Sequence, residues 1–232
     1  NLLQLIKKDD GSNFPKAVKL LSTNPDLKKE IWDKLLPQKI THVYPHYLDG
    51  AGLWKTLLWY SNIINVNADI LSSFDKQKQQ FEKMFVLGRY DEAYQICQNI
   101  KNEFGLSLWL LDAYGLLKTY SGNEYDFEEN MDSGAKGIYS NLQIKNIRTE
   151  RQDQYVKRVS HLLSTSNIDS KTRIYYKYKL FAKQPFDEPE NAENNWREIL
   201  LIEGCYSIID IYLVTLDCIQ YYVYSRNISK SN

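Results

Sequence analysis

Two histidines, His42 and His46, have a spacing that occurs in metal sites. On a helix, a four-residue spacing places both imidazoles on the same face, where they can bind an ion such as zinc. Pro45 lies between them, and Gly50 and Gly52 follow, so the segment is predicted to be a loop in which the spacing loses that meaning. We therefore predict neither a metal site nor a cofactor.

Sequence signatures of nucleophilic or nucleotide-dependent catalysis are missing. The chain contains no Gly-x-Ser-x-Gly, no phosphate-binding glycine loop, no Gly-x-Gly-x-x-Gly and no His-Glu-x-x-His. The segment Arg158–His161 comes nearest to the arginine and histidine spacing of small helical ribonucleases, and it is too short. If the chain is an enzyme, its active site would have to be assembled from residues on distant helices. An enzyme of this kind is the last of three interpretations of the chain.

A basic and tyrosine-rich segment, 141–183, has the residue types that contact nucleic acid. It contains ten lysines and arginines against three acidic residues, and tyrosines interleave with its last basic residues. Basic groups can contact phosphates while aromatic rings stack on bases, so nucleic-acid binding is the second interpretation. The residues predicted to take part are Arg173, Tyr175, Lys177, Tyr178 and Lys179. A simpler interpretation than nucleic-acid binding is that the basic residues form a solvated helix face while the tyrosines face inward, because the whole chain has no net charge.

The next segment, 184–217, has the opposite charge, with eight acidic residues against one arginine. Three of the acids, Glu203, Asp210 and Asp217, recur every seven residues and would form one stripe along a helix. We expect a long apolar helix, Trp196–Tyr224, whose acidic stripe faces solvent or the basic segment. The three acidic residues argue against a membrane span. A second copy of the chain could cover the apolar face of this helix, which would make the protein a homo-oligomer.

Apolar residues recur with helical periodicity along most of the chain, and no β-hairpin signal lies between alternating runs. The sequence therefore predicts an all-α fold, arranged as an irregular α-solenoid or helical array. The helices predicted in the middle of the chain are Leu53–Val66, Ala68–Val86, one that Asp91 opens and Gly105 stops, and Leu106–Tyr120. We expect the first of these, Leu53–Val66, to be a buried helix, because it contains several large apolar side chains, including Trp54 and Leu58.

A glycine-containing turn with the sequence Leu-Gly-Arg-Tyr-Asp-Glu-Ala follows the second of these helices. Gly88 permits a tight reversal, Tyr90 can pack between two helices, and Ala93 lets them approach closely. Another glycine, Gly122, follows 34 residues later, at a turn that is one residue longer. This pattern resembles the tetratricopeptide family, whose 34-residue helix–turn–helix repeats stack side by side. The resemblance covers residues 74–127, which is about one and a half repeats.

The resemblance implies a helical array with a concave surface. It also implies a non-enzymatic module, an adaptor or scaffold that binds a protein or peptide partner, and this is our first interpretation. Because the peptide-contacting residues of that family vary, the candidates here are polar groups on the first helices of the hairpins. They are Gln77, Lys78 and Asp112.

The whole chain, 1–232, is expected to form one helical domain, and its start at Asn rather than Met indicates either a processed product or a segment of a longer protein. Its parts are N-terminal helices in 1–66, repeat-like hairpins in 67–135 and C-terminal helices in 136–232. The three cysteines, Cys97, Cys205 and Cys218, form no Cys-x-x-Cys pair and lie in apolar runs, which is typical of reduced thiols. The sequence therefore predicts a cytoplasmic protein.

Overall fold

The computed structural model describes residues 10–26, 52–122 and 207–229, the last with side chains as far as Val223, and eight single positions between 122 and 207. The described residues lie in helices or in the turns between them, with no strand, which confirms the predicted all-α fold. The helices are α1 (Phe14–Thr23), α2 (Leu53–Val66), α3 (Ala68–Val86), α4 (Tyr90–Phe104), α5 (Leu108–Ser121) and α6 (Ile208–Ser229). In this part of the chain, no helix has both the length and the apolar composition that crossing a membrane requires.

A single residue, Asn67, separates α2 from α3, and both helices have the predicted bounds. The Asn67 side-chain amide donates to the carbonyl oxygen of Ile63 at 2.8 Å, and its backbone N–H bonds to the same oxygen at 3.2 Å. The Asn67 carbonyl in turn accepts from the backbone nitrogen of Leu71 at 3.0 Å. One asparagine therefore closes the last turn of α2 and begins the hydrogen bonding of α3.

The hairpin of α3 and α4 is the most extensive helix pair in the described chain. Gly88 lies in the turn with a φ of 71°, and its N–H bonds to the carbonyl oxygen of Phe85 at 3.1 Å. A Cβ on Gly88 would meet nothing within 4 Å, so the turn requires glycine for its left-handed backbone and not for space. Tyr90 packs its ring against Phe85, and Ala93 is fully buried. The predicted helix–turn–helix is confirmed at this position.

Aromatic rings join α3 to α5. Trp109, at the start of α5, lies edge-on to Phe74 and Phe81, with ring centroids 5.2 and 5.7 Å apart. Near the ends of the two helices, Phe85 packs edge-on to Tyr120 at 5.7 Å. Such pairs contribute about 0.5–1.5 kcal/mol each beyond the burial of their area. The order of the contacts shows that α3 and α5 run side by side in the same direction.

The helix α5 begins at Leu108, two residues later than predicted. The reason is Ser107, whose hydroxyl accepts a hydrogen bond from the backbone nitrogen of Leu110 at 3.1 Å and caps the helix. Gly122, with a φ of 67°, ends it. All residues of Leu110–Leu117 are buried, so α5 is a central helix of the described core.

The prediction of one continuous helix over Trp196–Tyr224 is wrong. Leu200 is helical, but Ser207 lies in a bend and α6 begins at Ile208. The Ser207 hydroxyl accepts from the backbone nitrogen of Asp210 at 3.1 Å, so it caps a new helix within the apolar run. From this start α6 packs against α2, α3 and α5.

Candidate interaction surfaces

Two of the three predicted partner-binding residues, Gln77 and Lys78, lie on different sides of α3. The Gln77 side-chain nitrogen donates to Glu103 of α4, whose other carboxylate oxygen accepts from the Ser73 hydroxyl at 2.9 Å. Lys78 forms an ion pair with Glu82, one turn further along α3, with 2.7 Å between Nζ and Oε1. Gln77 therefore holds the two helices of the hairpin together, while Lys78 lies beside a compensating charge on the helix surface.

The third predicted residue, Asp112, lies in the core. It is 6% exposed and belongs to the buried stretch of α5. The structure thus does not bring Gln77, Lys78 and Asp112 together on one surface. The helical period places a residue on a face, but the sequence contains no signal for which face the rest of the chain covers.

A buried carboxylate, that of Asp210 in α6, lies at the N-terminus of α5. Its Oδ2 accepts from the backbone nitrogen of Leu108 at 2.9 Å, and its Oδ1 accepts from that of Trp109 at 3.2 Å. The Ser207 hydroxyl donates to Oδ2 at 3.1 Å. Burial raises the pKa of Asp210 to about 6, although the hydrogen bonds from Leu108, Trp109 and Ser207 act in the opposite direction.

This arrangement corrects the expectation of an acidic stripe at Asp210 alone, because Asp210 is buried and supplies acceptors for backbone N–H groups that a helix start leaves without partners. A negative charge at that position also interacts favourably with the helix dipole. Asp217, by contrast, bonds to Tyr178 of the basic segment, and Glu203 lies outside the described residues. Ser207 stands three residues before Asp210, a spacing that also occurs at helix starts and that the prediction of one continuous helix overlooked. No local pattern identifies α5 as the second helix that Asp210 caps.

Tyrosine hydroxyls donate to carboxylates between distant parts of the chain. Tyr212 of α6 donates to Asp75 of α3, and burial together with Asp75 raises the pKa of Tyr212 to about 12. Tyr125 donates to Asp91 at 2.7 Å and stacks on Tyr94 of α4, with centroids 4.5 Å apart. These tyrosines hold helices and turns in place, which is a structural use of groups that could also do chemistry.

One of the residues predicted to contact nucleic acid, Tyr178, lies in the described chain. Its half-buried side chain donates a hydrogen bond to Asp217 of α6 and packs against the core. This contact agrees with the interpretation in which the tyrosines of the basic segment face inward. The other predicted nucleic-acid contacts lie outside the described residues, and they are Arg173, Tyr175, Lys177 and Lys179.

Large apolar side chains are exposed where the α3–α4 turn lies beside the end of α5. Val86 is 82% exposed, Leu87 is 59% exposed and Tyr120 is 39% exposed. We call this group the hairpin-tip surface. Lys83 and Lys118, both exposed, lie in the last turns of α3 and α5. The surface therefore combines apolar contact area with nearby positive charge.

A second apolar group runs across α2 and α6. It consists of Trp54 and Leu58 on α2, and of Ile219 and Val223 on α6, each between 40% and 54% exposed. We call it the α2–α6 strip. The expectation that α2 is a buried helix is therefore wrong for Trp54 and Leu58, because α1 and α6 cover other sides of α2 and leave these two residues between them.

The described residues contain no group of three or more histidine, cysteine or carboxylate side chains placed to hold a metal ion. His42 and His46 lie outside the described residues. Comparison with models of protein families, with curated proteins and with solved structures found no match to this chain. Within the described residues, the two exposed surfaces are the features from which a function can be argued.

Proposed function

We propose that this protein is a non-enzymatic helical interaction module that binds a protein or peptide partner through the hairpin-tip surface. The observation that carries the proposal is the exposure of Val86, Leu87 and Tyr120 at one end of the α3–α4 hairpin. A partner that covers these side chains would gain about 25 cal/mol for each Å² of apolar area removed from water.

The hairpin-tip surface is held in position before a partner arrives. The Tyr120 ring packs edge-on to Phe85, and Phe85 also stacks on Phe81 within α3. Val86 is β-branched and has few accessible rotamers. Because these side chains lose little conformational freedom on binding, more of the apolar contact energy is available for affinity.

Charge identifies the chemistry of the partner. Lys83 lies in the last turn of α3 and Lys118 in the last turn of α5, so positive charge is present near the apolar group. Arg89, in the turn itself, bonds to Glu92 through contacts of its Nε and Nη2 with both carboxylate oxygens. A peptide with acidic residues next to apolar residues complements this arrangement. Part of each lysine charge also offsets the negative end of its helix dipole, so the apolar contacts are expected to dominate the affinity.

The use of the polar groups in the described chain supports an interaction role over catalysis. Asp210 caps a helix, Asp75 accepts from Tyr212, and Glu103 joins α3 to α4. Each of these carboxylates is engaged in holding helices together. The proposal extends to a tetratricopeptide-like stacking of the hairpins, which is supported by the contact of Asp91 with Tyr125, 34 residues later.

Selection from a displayed library of random peptides, followed by titration of the enriched peptides against the purified chain, tests the proposal. We expect enriched peptides to combine apolar and acidic residues. Leu87→Asp should weaken their binding at least tenfold, because the new carboxylate disrupts the apolar contact and repels acidic side chains. The matched control is Leu20→Asp, since Leu20 is a comparably exposed leucine on α1 and should leave binding unchanged.

A second variant separates the charge contribution from the apolar one. Lys83→Glu should weaken binding several-fold in low salt and less in high salt, because salt screens exposed charges. If no peptide is enriched, or if Leu87→Asp and Leu20→Asp bind alike, the hairpin-tip surface does not bind such a partner and the proposal is wrong.

A further inference from the structure

The hairpin-tip surface is formed by two helices that are not consecutive in the chain. Val86 and Leu87 belong to the end of α3 and the turn after it, whereas Tyr120 belongs to the end of α5. The two helices run side by side in the same direction, and the Phe85 ring meets the Tyr120 ring edge-on at 5.7 Å. The shape that a partner meets at the tip therefore depends on how far α5 lies along α3.

The position of α5 along α3 is set at the opposite end of the two helices. Trp109, in the first turn of α5, packs its ring edge-on against Phe74 and Phe81. The backbone nitrogen of Trp109 donates to Oδ1 of Asp210 at 3.2 Å, and that of Leu108 donates to Oδ2 at 2.9 Å. A carboxylate of α6 therefore holds the backbone of the residue whose ring fixes α5 against α3.

A continuous series of aromatic contacts leads from this end of the helices to the tip. Phe81, which contacts Trp109, also stacks on Phe85 with ring centroids 5.8 Å apart. Phe85 in turn contacts Tyr120. The helix α5 covers the same distance by itself, about 16 Å from Trp109 to Tyr120 at a rise of about 1.5 Å per residue. Because a helix shifts as a unit and close-packed rings resist deformation, a movement at Trp109 is passed on to Tyr120.

Release of the Asp210 carboxylate favours such a movement. The two N–H groups that it accepts from belong to Leu108, which is buried, and Trp109, which is half-buried. A buried N–H group without an acceptor costs about 1–3 kcal/mol. The Ser107 hydroxyl already accepts from Leu110, so the start of α5 lowers this cost by shifting toward water. The bonded and the released carboxylate therefore correspond to two positions of α5.

We propose that Asp210 is a positioning residue for the hairpin-tip surface, so that docking of α6 on α5 and partner binding at the tip strengthen each other. This inference rests on the proposed function, because it names what regulates that same surface. Coupling between two sites is reciprocal, so a bound partner favours the bonded Asp210 by the same factor as the bonded Asp210 favours the partner. The C-terminal helix is accordingly a regulatory element, and withdrawal of its start weakens the affinity of the tip.

The free chain tests the positioning without a partner. In spectra of the chain with isotope-labelled tyrosine, the ring signal of Tyr120 is identified by its loss in Tyr120→Phe. Asp210→Asn keeps the side-chain shape but can accept from only one of the two nitrogens, and we expect it to shift the Tyr120 signal. The matched control is Tyr212→Phe, which loosens α6 from Asp75 of α3 without touching the start of α5 and should leave the signal in place. Helical circular dichroism checks that both variants are folded.

Titration with the peptides selected for the hairpin-tip surface measures the coupling. Asp210→Asn should raise the dissociation constant about fivefold, at the lower end of the range for coupled sites, whereas Tyr212→Phe should leave it unchanged. In the wild type, bound peptide should slow hydrogen exchange at the amides of Leu108 and Trp109. The same peptide concentration should leave this exchange unchanged in Leu87→Asp, where the peptide is no longer bound.

The outcomes separate this inference from the proposed function. If no peptide binds the wild type, the proposed function is wrong and the inference fails with it. If peptides bind the wild type and Asp210→Asn equally well, or if the Tyr120 signal is the same in both, only the inference is overturned. Equal effects of Asp210→Asn and Tyr212→Phe also overturn it, because a general loosening of α6 would then be the cause.

Discussion

The Asp210 carboxylate of α6 lies 2.9 Å from the backbone nitrogen of Leu108, although 102 residues separate them in the chain. Its other oxygen accepts from Trp109, the residue whose ring packs between Phe74 and Phe81 of α3. One side chain therefore connects the start of α6, the start of α5 and the aromatic core. This contact is where the C-terminal helix is held against the central hairpins.

The first prediction is that Asp210→Ala destabilises the fold by about 2 kcal/mol, because it leaves buried backbone N–H groups of α5 without an acceptor. Asp210→Asn should cost less, since the carboxamide oxygen can keep one of the two bonds. Urea denaturation followed by circular dichroism measures both. Asp69→Ala, in the exposed first turn of α3, is the control and should change stability little. Equal effects of Asp210→Ala and Asp69→Ala would contradict the assigned role.

The second prediction concerns pH. The folded-state pKa of Asp210 is raised from 3.8 to about 6, so the folded chain binds the proton more tightly than the unfolded chain does. The resulting stabilisation is fully present below pH 3.8 and is lost as the pH rises through 6. Between pH 7 and pH 5, wild type should therefore gain about 1 kcal/mol relative to Asp210→Asn. If the free energies of unfolding of the two proteins change equally between pH 7 and pH 5, this prediction is wrong.

The third prediction concerns the turn between α3 and α4. Gly88→Ala should destabilise the fold by about 1–2 kcal/mol, because alanine is strained at a φ of 71° even though its Cβ has open space. Gly88→Asn should cost less, since asparagine tolerates the left-handed region. Thermal unfolding of both variants checks the order. Gly52→Ala is the comparison, because Gly52 has open space and no positive φ, and it should have the smaller effect.

The fourth prediction concerns the bond between α6 and α3. Tyr212→Phe removes only the hydroxyl that donates to Asp75, and we expect a loss of about 1 kcal/mol in the free energy of unfolding. Tyr120→Phe, on a ring that is 39% exposed, is the matched control and should have little effect. If denaturant titration finds the two variants equally stable, the Tyr212–Asp75 bond does not contribute to stability.

The helix bounds were largely predictable because the signals that set them are local. Asn67 stands between two periodic runs, and Gly88 supplies the left-handed turn that an ordinary residue resists. The start of α5 was predicted two residues too early, because Ser107, which caps the helix, lies within a run of apolar residues that is typical of a helix interior. The break at Ser207 was missed for the same reason, since a serine between apolar residues can either continue a helix or cap one.

The sequence by itself determined the fold class, the position of the central hairpin and the turns that bound it, because periodicity and turn chemistry act over a few residues. Which faces are covered was decided only by the tertiary structure. Asp112 became a core residue, while Trp54 and Leu58 became a surface, according to where α1 and α6 pack. Asp210 was predicted to be part of an acidic stripe, and it became the cap of a distant helix because the N–H groups of α5 need acceptors out of reach of water.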